Sequence, residues 1–124
     1  MSGSISIVIP NFNGQHYLAP ALESVIRQAG VDPQIIVVDG ASTDGSKSIL
    51  NTYQTAINVA ICEPDRGHVD ALNKGFARAT GEILGFLNSD DLLMPGALSV
   101  VAEIFAAFPE VRWITGLPAL WDGE

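Results

Sequence analysis

Basic residues are scarce in this sequence of 124 residues, which carries 6 Lys and Arg against 14 Asp and Glu. The formal net charge is -8 and the sequence pI is near 4.4. Binding to a nucleic-acid backbone or to an anionic membrane surface requires clustered Lys and Arg. We therefore expect no nucleic-acid partner for this chain and no electrostatic attachment to lipid.

Cysteine and long hydrophobic runs are also scarce. The single cysteine, Cys62, cannot form an internal disulfide, so we expect a reducing compartment. No apolar run approaches the roughly 18–20 residues of a membrane span, and residues 1–4 lack the basic and apolar regions of a signal peptide. We therefore expect a cytoplasmic protein, and peripheral contact with the inner face of a membrane would need segments of a longer protein.

The apolar content of 48% is sufficient for a core, and no repeat or linker divides the chain, so we predict a single domain over residues 1–124. Apolar runs of strand length are Ile5–Pro10, Gln34–Asp39, Asn58–Cys62, Ile83–Leu87 and, more weakly, Arg112–Thr115. The first two are continuous β-branched runs, which favour strands buried on both faces.

Helical spacing of apolar residues separates these runs. It predicts helices over residues 18–26, from about 44–46 to 53, over 69–79 and over 97–108, where Pro109 ends the last one. This alternation predicts an α/β fold with an open, mostly parallel sheet flanked by helices. In such a sheet ligands bind beyond the carboxyl ends of the strands.

Half of the acidic residues gather at predicted strand ends: Asp39, Asp44, Glu63, Asp65, Asp70, Asp90 and Asp91. The adjacent pair Asp90 and Asp91 is the sharpest signal, because neighbouring carboxylates repel each other and a bound cation relieves that repulsion. Their hard oxygen ligands suit Mg²⁺ or Mn²⁺. The alternative is a solvated turn in which an Asp caps the following segment.

Two further loops follow predicted strands. Asp39 can accept hydrogen bonds from a base or a ribose, although a turn and a helix cap explain residues 42–46 equally well. Arg66 and Lys74 are the only cations near this face and can pair with a pyrophosphate. Alternatively, Arg66 pairs with Asp65 or Asp70 and orders its own loop.

Four other side chains have two interpretations each. His68 can act as a general base, but a structural role is simpler. Cys62 is predicted to be a small core residue rather than a nucleophile. Trp113 and Trp121 are predicted to pack against the core, with stacking on a sugar as the alternative.

Six motifs occur in a characteristic order. They are Ile7–Asn13 (IVIPNFN), Ile36–Ser46 (IVVDGASTDGS), Glu63–Gly67 (EPDRG), Asp70–Gly75 (DALNKG), Ala79–Glu82 (ATGE) and Leu87–Asp91 (LNSDD). Together they resemble the family 2 glycosyltransferases of the GT-A fold, from about residue 4 to residue 115. The resemblance implies a site for a nucleotide-diphosphate sugar, most often a UDP-sugar.

By this resemblance Pro10 and Asn11 would line the nucleotide cleft, and Asp39 would hydrogen-bond the base. Asp90 would lie near the ribose or pyrophosphate, and Asp91 would hold the divalent metal, Mg²⁺ or Mn²⁺.

The same resemblance implies that residues 65–68, with Arg66, and Asn73 border the nucleotide and diphosphate. The sequence departs from the family pattern at Asn88, where many members carry an acid, and at Leu72, where an Arg is frequent.

The resemblance also implies an inverting transfer to an acceptor hydroxyl, with a catalytic base well beyond the metal motif. Only 33 residues follow Asp91, so we expect that base beyond Glu124 in a longer protein, and we expect this chain alone to be inactive. The sugar acceptor is not identified by the sequence.

The alternative function is a non-catalytic nucleotide-sugar-binding module that associates with itself through apolar surface around residues 113–121, as a homo-oligomer. A receiver-like phosphotransfer domain would need a Lys downstream of Lys74, and a nucleotidyltransferase would need a basic Gly-rich loop after the first strand. The sequence contains neither.

Overall fold

The computed structural model describes residues 4–120, in which strands and helices alternate. The elements are β1 (Ile5–Asn11), α1 (Gln15–Ile26), β2 (Gln34–Asp39), α2 (Ser46–Thr52), β3 (Val59–Cys62), α3 (His68–Phe76), β4 (Ile83–Phe86) and α4 (Ala97–Ala107). The strands form one parallel sheet in the order β3-β2-β1-β4. The predicted α/β class with a parallel sheet flanked by helices is confirmed.

The central strands β1 and β2 are buried on both faces, as their β-branched runs predict. Ile7 and Ile9 of β1 face one core cluster, which includes Leu18 and Leu22 of α1. Val8 faces the opposite cluster, which includes Ala71 of α3. This alternation follows from the two-residue period of a strand. Because β1 and β2 are the two central strands of a parallel sheet, their carboxyl ends lie side by side, between those of β3 and β4.

Helix α3 packs closely on β1 and β2 because residue 75 is a glycine. A Cβ atom at Gly75 would collide with the side chain of Val8 and would lie 3.2 Å from Cγ2 of Val38. This close approach fixes the start of α3, at His68, near the carboxyl ends of the strands.

Strands β3 and β4 lie at the two edges of the described sheet and are half-exposed. Leu84 and Phe86 of β4 are 52% and 45% exposed, because α3 packs mainly on β1 and β2. The face of β4 on the α3 side therefore presents apolar side chains to solvent.

The predicted fifth strand over Arg112–Thr115 is wrong, because these residues are irregular in the structure. A strand needs a neighbour to pair with its backbone groups, and in the described part of the chain β4 pairs only with β1. The predicted packing of Trp113 is also wrong, since this side chain is 80% exposed. Trp121 lies outside the described residues.

The predicted burial of Cys62 is wrong as well. Cys62 ends the edge strand β3 and is exposed, whereas its neighbour Ile61 packs against the cluster beside α3. A run of apolar residues does not reveal whether its strand is central or at an edge, and only a central strand buries both faces.

The helices match their predicted places with small differences. Helix α3 ends at Phe76 rather than near Ala79, and Val69, assigned to its core face, is 70% exposed. Helix α4 ends just before Pro109, as predicted. None of the helices within residues 4–120 has both the length and the apolar character needed to cross a membrane.

Candidate functional site

A cavity of about 720 Å³ lies at the carboxyl ends of the strands. Its walls come from the loops that follow the four strands and from the first turns of α1 and α3. The lining residues are Pro10, Asn11, Phe12, Asn13, Gly14, Tyr17, Gly40, Asp65, Gly67, His68, Ala71, Asn88, Ser89 and Asp90. This is the place that an open parallel sheet offers to a ligand.

The structure brings some of the predicted site residues together at this cavity. Pro10, Asn11 and Asp90 line it directly. Asp39 lies behind the wall and is fully buried. Three other residues predicted for the site are exposed and do not line the cavity: Arg66, Asn73 and Asp91.

The buried carboxylate of Asp39 is held by three hydrogen bonds. Its Oδ1 atom accepts from Nδ2 of Asn11 at 2.8 Å and from Oγ of Ser42 at 2.7 Å. Its Oδ2 atom accepts from the backbone N–H of Ser42 at 2.9 Å. A buried carboxylate needs such donors, and here they join the loop after β2 to the end of β1.

One buried acceptor beside this network has no partner. Within residues 4–120 the Oδ1 atom of Asn11 makes no hydrogen bond, although Asn11 is only 4% exposed. It lies next to Gly14, where a Cβ atom would collide with it and would be 2.9 Å from Oγ of Ser89. Asn11, Gly14 and Ser89 all line the cavity.

Two non-glycine residues have left-handed backbone angles, one in the cavity wall and one in the loop after β2. Asn13 has φ of 53° and Ala41 has φ of 63°. Such conformations cost roughly 1–3 kcal/mol each and cluster at functional sites. Hydrogen bonds hold the first of them: the backbone N–H of Asn13 donates to Oγ of Ser42 at 2.8 Å, and its Oδ1 accepts from the N–H of Thr43 at 2.9 Å.

Asp44 joins the starts of α1 and α2. Its carboxylate accepts the backbone N–H groups of Gln15 at 3.0 Å and of Ser46 at 2.9 Å. Hydrogen bonding from Ser46, above all, lowers the pKa of Asp44, and the N–H of Gln15 adds to this effect. The helix-cap explanation offered for residues 42–46 is thus partly correct, although Gly45 takes the N-cap position of α2.

The loop between β3 and α3 is ordered by Lys74 rather than by the side chain of Arg66. The Nζ atom of Lys74 donates to the carbonyl oxygen of Pro64 at 2.8 Å and lies within 3.7–3.8 Å of carboxylates of Asp70 and Glu63. The backbone N–H of Arg66 donates to Asp70 at 2.9 Å, while its guanidinium forms no ion pair within the described chain. Arg66 is therefore the cation that remains available to an anion near this loop.

His68 begins α3 and reaches across the cavity mouth. Its Nε2 atom lies 2.7 Å from Oδ1 of Asn88, and its ring meets Phe86 edge-on with centroids 5.8 Å apart. These contacts connect α3 to the loop after β4, which supports the structural interpretation of His68.

The carboxylates of Asp90 and Asp91 follow β4 and do not cap a helix. The N-cap of α4 is Gly96, so the capping part of the alternative is wrong. Its solvated turn is confirmed, because residues 89–90 form a turn and both carboxylates are exposed. Within residues 4–120 no group of three or more His, Cys, Asp or Glu side chains is placed to hold a metal ion. One or two carboxylates nevertheless suffice for Mg²⁺ when substrate phosphates and water supply its other ligands, so the donor set fits such a cation.

Sequence reasoning missed the aromatic side chains of the cavity. Phe12 and Tyr17 both line it and remain exposed. An exposed aromatic side chain beside a cavity can stack on a flat or ring-shaped ligand. The sequence could have indicated Phe12, because this residue follows Asn11 directly in the Ile7–Asn13 motif. Nothing in the sequence distinguishes Tyr17 from an ordinary surface position of α1.

Comparison with known proteins identifies a family that the sequence matches. The family model described as glycosyl transferase family 2 matches residues 6–111. An uncharacterized glycosyltransferase of Nostoc sp. is 38% identical over 104 residues, which cover 82% of this chain and 32% of that protein. The chain spans about a third of the length of the curated relatives it matches.

Solved structures share the fold. The S. aureus protein TarS (residues 1–349), in complex with UDP-GlcNAc, superposes with a TM-score of 0.78 at 22% identity, covering 95% of this chain and 37% of that chain. The mannosyltransferase PcManGT of Pyrobaculum calidifontis, in complex with GDP-Man and Mn²⁺, gives a TM-score of 0.73 at 24% identity, covering 84% of this chain and 32% of that one. The predicted GT-A architecture is thereby confirmed, and with most of its length matched by the family model the chain belongs to glycosyl transferase family 2.

Proposed function

We propose that this chain is the donor-binding part of an inverting glycosyltransferase and that its cavity binds a nucleotide-diphosphate sugar, with a UDP-sugar as the donor. The observation that carries the proposal is the cavity of about 720 Å³ at the carboxyl ends of the strands, with polar groups of Asn11 and Asp90 and the exposed rings of Phe12 and Tyr17. Its size and mixed lining suit a nucleotide, which has one flat apolar part and one charged part.

The acidic pair would hold the divalent cation, Mg²⁺ or Mn²⁺, that accompanies such a donor. Asp91 would be its ligand, and Asp90, at the cavity wall, would lie near the ribose or pyrophosphate. When bound, the cation offsets negative charge on the diphosphate leaving group. The chain itself offers little positive charge for this purpose, since Lys74 is already engaged by two carboxylates.

Arg66 and Asn73 would border the diphosphate from the side of α3. Both are exposed next to the cavity rather than in its wall, so they would act on a bound ligand from its solvent side. The guanidinium of Arg66, which forms no ion pair with any described residue, suits a phosphate oxygen by charge and by geometry.

In the reaction of the whole protein, an acceptor hydroxyl attacks the anomeric carbon of the donor sugar. The new bond forms as the bond from that carbon to the diphosphate breaks, and the configuration inverts. The hydroxyl proton passes to a carboxylate base, which we place beyond Glu124. This chain alone would therefore bind the donor without transferring the sugar, which agrees with its covering a third of the curated relatives.

Two structural relatives support a nucleotide-diphosphate sugar as the ligand. TarS is known in complex with UDP-GlcNAc, and PcManGT in complex with GDP-Man and Mn²⁺. Both have the same fold around the corresponding part of their chains, although at this level of identity the likeness extends to the fold alone.

Calorimetry with UDP and Mn²⁺ tests the donor site. We expect saturable binding by the wild-type chain, and at least about 10-fold weaker binding, or 1.4 kcal/mol, after Asp91→Asn. Asp32→Asn removes the same charge from the exposed loop before β2 and should leave binding unchanged. Absence of metal-dependent binding by the wild-type chain would refute the donor site.

A second candidate function, a non-catalytic nucleotide-sugar-binding module that associates with itself, is favoured by one surface. The exposed apolar side chains Leu84, Phe86 and Trp113 lie on β4 and just beyond α4. A shallow groove of about 580 Å³ there includes Glu82 and Arg112, which carry opposite charges. A second copy, turned by a two-fold axis, could match the Glu82 of one chain to the Arg112 of the other.

A further inference from the structure

The strongest unexplained feature of the site is the unpartnered Oδ1 atom of Asn11. Buried acceptors in native proteins are almost always hydrogen-bonded, and one left without a partner costs roughly 1–3 kcal/mol. This atom therefore calls for a donor that the described chain does not provide. Because Asn11 lines the cavity, a ligand bound in the cavity can supply this donor.

The orientation of the Asn11 amide is fixed by its neighbour. An ionised carboxylate only accepts hydrogen bonds, so the amide must turn its NH₂ group toward Asp39, to which it donates at 2.8 Å. The same NH₂ group lies 3.4 Å from Oγ of Ser42. The carbonyl oxygen is thereby directed away from Asp39 and toward Gly14 and Ser89 at the cavity wall.

Asp39, by contrast, has little capacity left for a ligand. Its two oxygens offer about four acceptor positions, and three of these are taken by Asn11 and by the two donors of Ser42. Its side chain is also fully buried and does not line the cavity. The carboxylate is therefore suited to hold Asn11 in place.

We infer that Oδ1 of Asn11 is the acceptor that recognises the nucleotide base, with Asp39 as the positioning residue behind it, and that the pair selects a base with a single imide N–H, of the uracil type. The inference rests on the proposed function. It reverses the role that the family resemblance implies for Asp39. Guanine presents an N–H and an NH₂ group side by side and would need a second acceptor beside Oδ1 of Asn11, for which Asp39, with three of its about four acceptor positions taken, is poorly suited.

Methylation of the imide nitrogen tests this contact because it replaces the donated hydrogen by a methyl group, which cannot donate. Calorimetry in Mn²⁺ would compare UDP, UDP methylated at N3 of uracil, and GDP. For the wild-type chain we expect N3-methylated UDP and GDP to bind at least about 10-fold more weakly than UDP. For Asn11→Ala we expect UDP and N3-methylated UDP to bind equally.

Two further variants complete the test, one as a second substitution of Asn11 and one as a control. Asn11→Ser keeps a hydroxyl that can donate to Asp39, which protects the fold if Asn11→Ala does not fold, and it should also lose the preference. Asp32→Asn, in the exposed loop before β2, touches neither Asn11 nor Asp39, and it should keep the preference. Thermal melting of each variant reports whether the fold is intact.

The results distinguish the possible failures. If N3-methylation costs nothing in the wild-type chain, the acceptor is occupied by water and the inference is wrong. If the cost persists in both Asn11 variants but disappears in Asp39→Asn, Asp39 reads the base and the inference is again wrong. If neither UDP nor GDP binds in Mn²⁺, the proposed donor site fails, and the inference fails with it.

Discussion

Asn11 and Asp39 face each other across the two central strands, and the Nδ2 atom of Asn11 lies 2.8 Å from the Oδ1 atom of Asp39. The two residues are also in register at the ends of β1 and β2. The backbone N–H of Gly40 donates to the carbonyl oxygen of Asn11 at 2.9 Å. The loops that follow β1 and β2 start at these two residues and contribute to the cavity wall. The contacts between Asn11 and Asp39 therefore hold the two loops in place relative to each other.

The Asp39 carboxylate should contribute to stability as well as to the site. Asp39→Asn replaces an acceptor by an NH₂ group that faces other donors, so at least one hydrogen bond in the buried network is lost. We expect the free energy of unfolding to fall by about 2–3 kcal/mol, measured by urea denaturation at neutral pH. The exposed Asp32→Asn should change it by less than about 0.5 kcal/mol; equal effects of the two substitutions would contradict this role of Asp39.

Asp44 should make the fold sensitive to acid. Hydrogen bonding from Ser46 lowers the pKa of Asp44 below its ordinary value of 3.8, so the folded state binds its proton less readily than the unfolded state. The resulting stabilisation is complete above pH 3.8 and is lost as the pH falls through the lowered folded pKa. The urea midpoint of the wild-type chain should therefore fall more steeply below pH 4 than that of Asp44→Asn, and parallel curves for the two proteins would refute the prediction.

Removal of divalent metal should weaken binding of the diphosphate but not of the nucleoside. Asp65 and Asp90 line the cavity, and their negative charge opposes a bare diphosphate. Addition of EDTA should raise the Kd for UDP at least about 10-fold, whereas the Kd for uridine, which carries no phosphate, should stay the same. An unchanged Kd for UDP would show that the acidic pair holds no cation relevant to the donor.

Gly75 should tolerate no larger side chain. In Gly75→Ala the new methyl group would collide with Val8 and push α3 away from β1 and β2, which we expect to cost about 1–3 kcal/mol despite the better helix propensity of alanine. Gly116→Ala is a control, because a Cβ atom there would meet no other atom within 4 Å. Thermal denaturation of both variants would reveal the difference, and an unchanged Gly75→Ala would show that the helix can shift freely.

The sequence was sufficient to predict the elements that depend on local patterns. Strands β1 and β2 follow from their β-branched runs, the helices follow from their apolar spacing, and the end of α4 follows from Pro109. Each of these patterns is local in the sequence, and the structure confirms the elements that they predict. The position of a strand within the sheet has no local cause. For this reason the exposure of Cys62 on the edge strand β3 and the irregular path of residues 112–115 were not predicted.

The candidate site was predictable as a set of loops but not as a set of contacts. Motif order indicated Pro10, Asn11 and Asp90, which do line the cavity. It could not show that Asp39 is enclosed by Asn11 and Ser42, because this network joins Asp39 to Asn11, which lies 28 residues earlier in the sequence. Nor could it show that Lys74, rather than Arg66, is used to order the loop before α3.

The exposed face of β4 should drive self-association of the isolated chain. Leu84, Phe86 and Trp113 form an apolar surface at an edge strand, and such surfaces favour association. Light scattering should show the mass rising from 13.1 kDa toward that of a dimer as concentration increases. Leu84→Lys should suppress this rise, whereas Val100→Lys, an equally exposed position on α4, should not. A wild-type chain that stays at 13.1 kDa at every concentration would exclude association through β4.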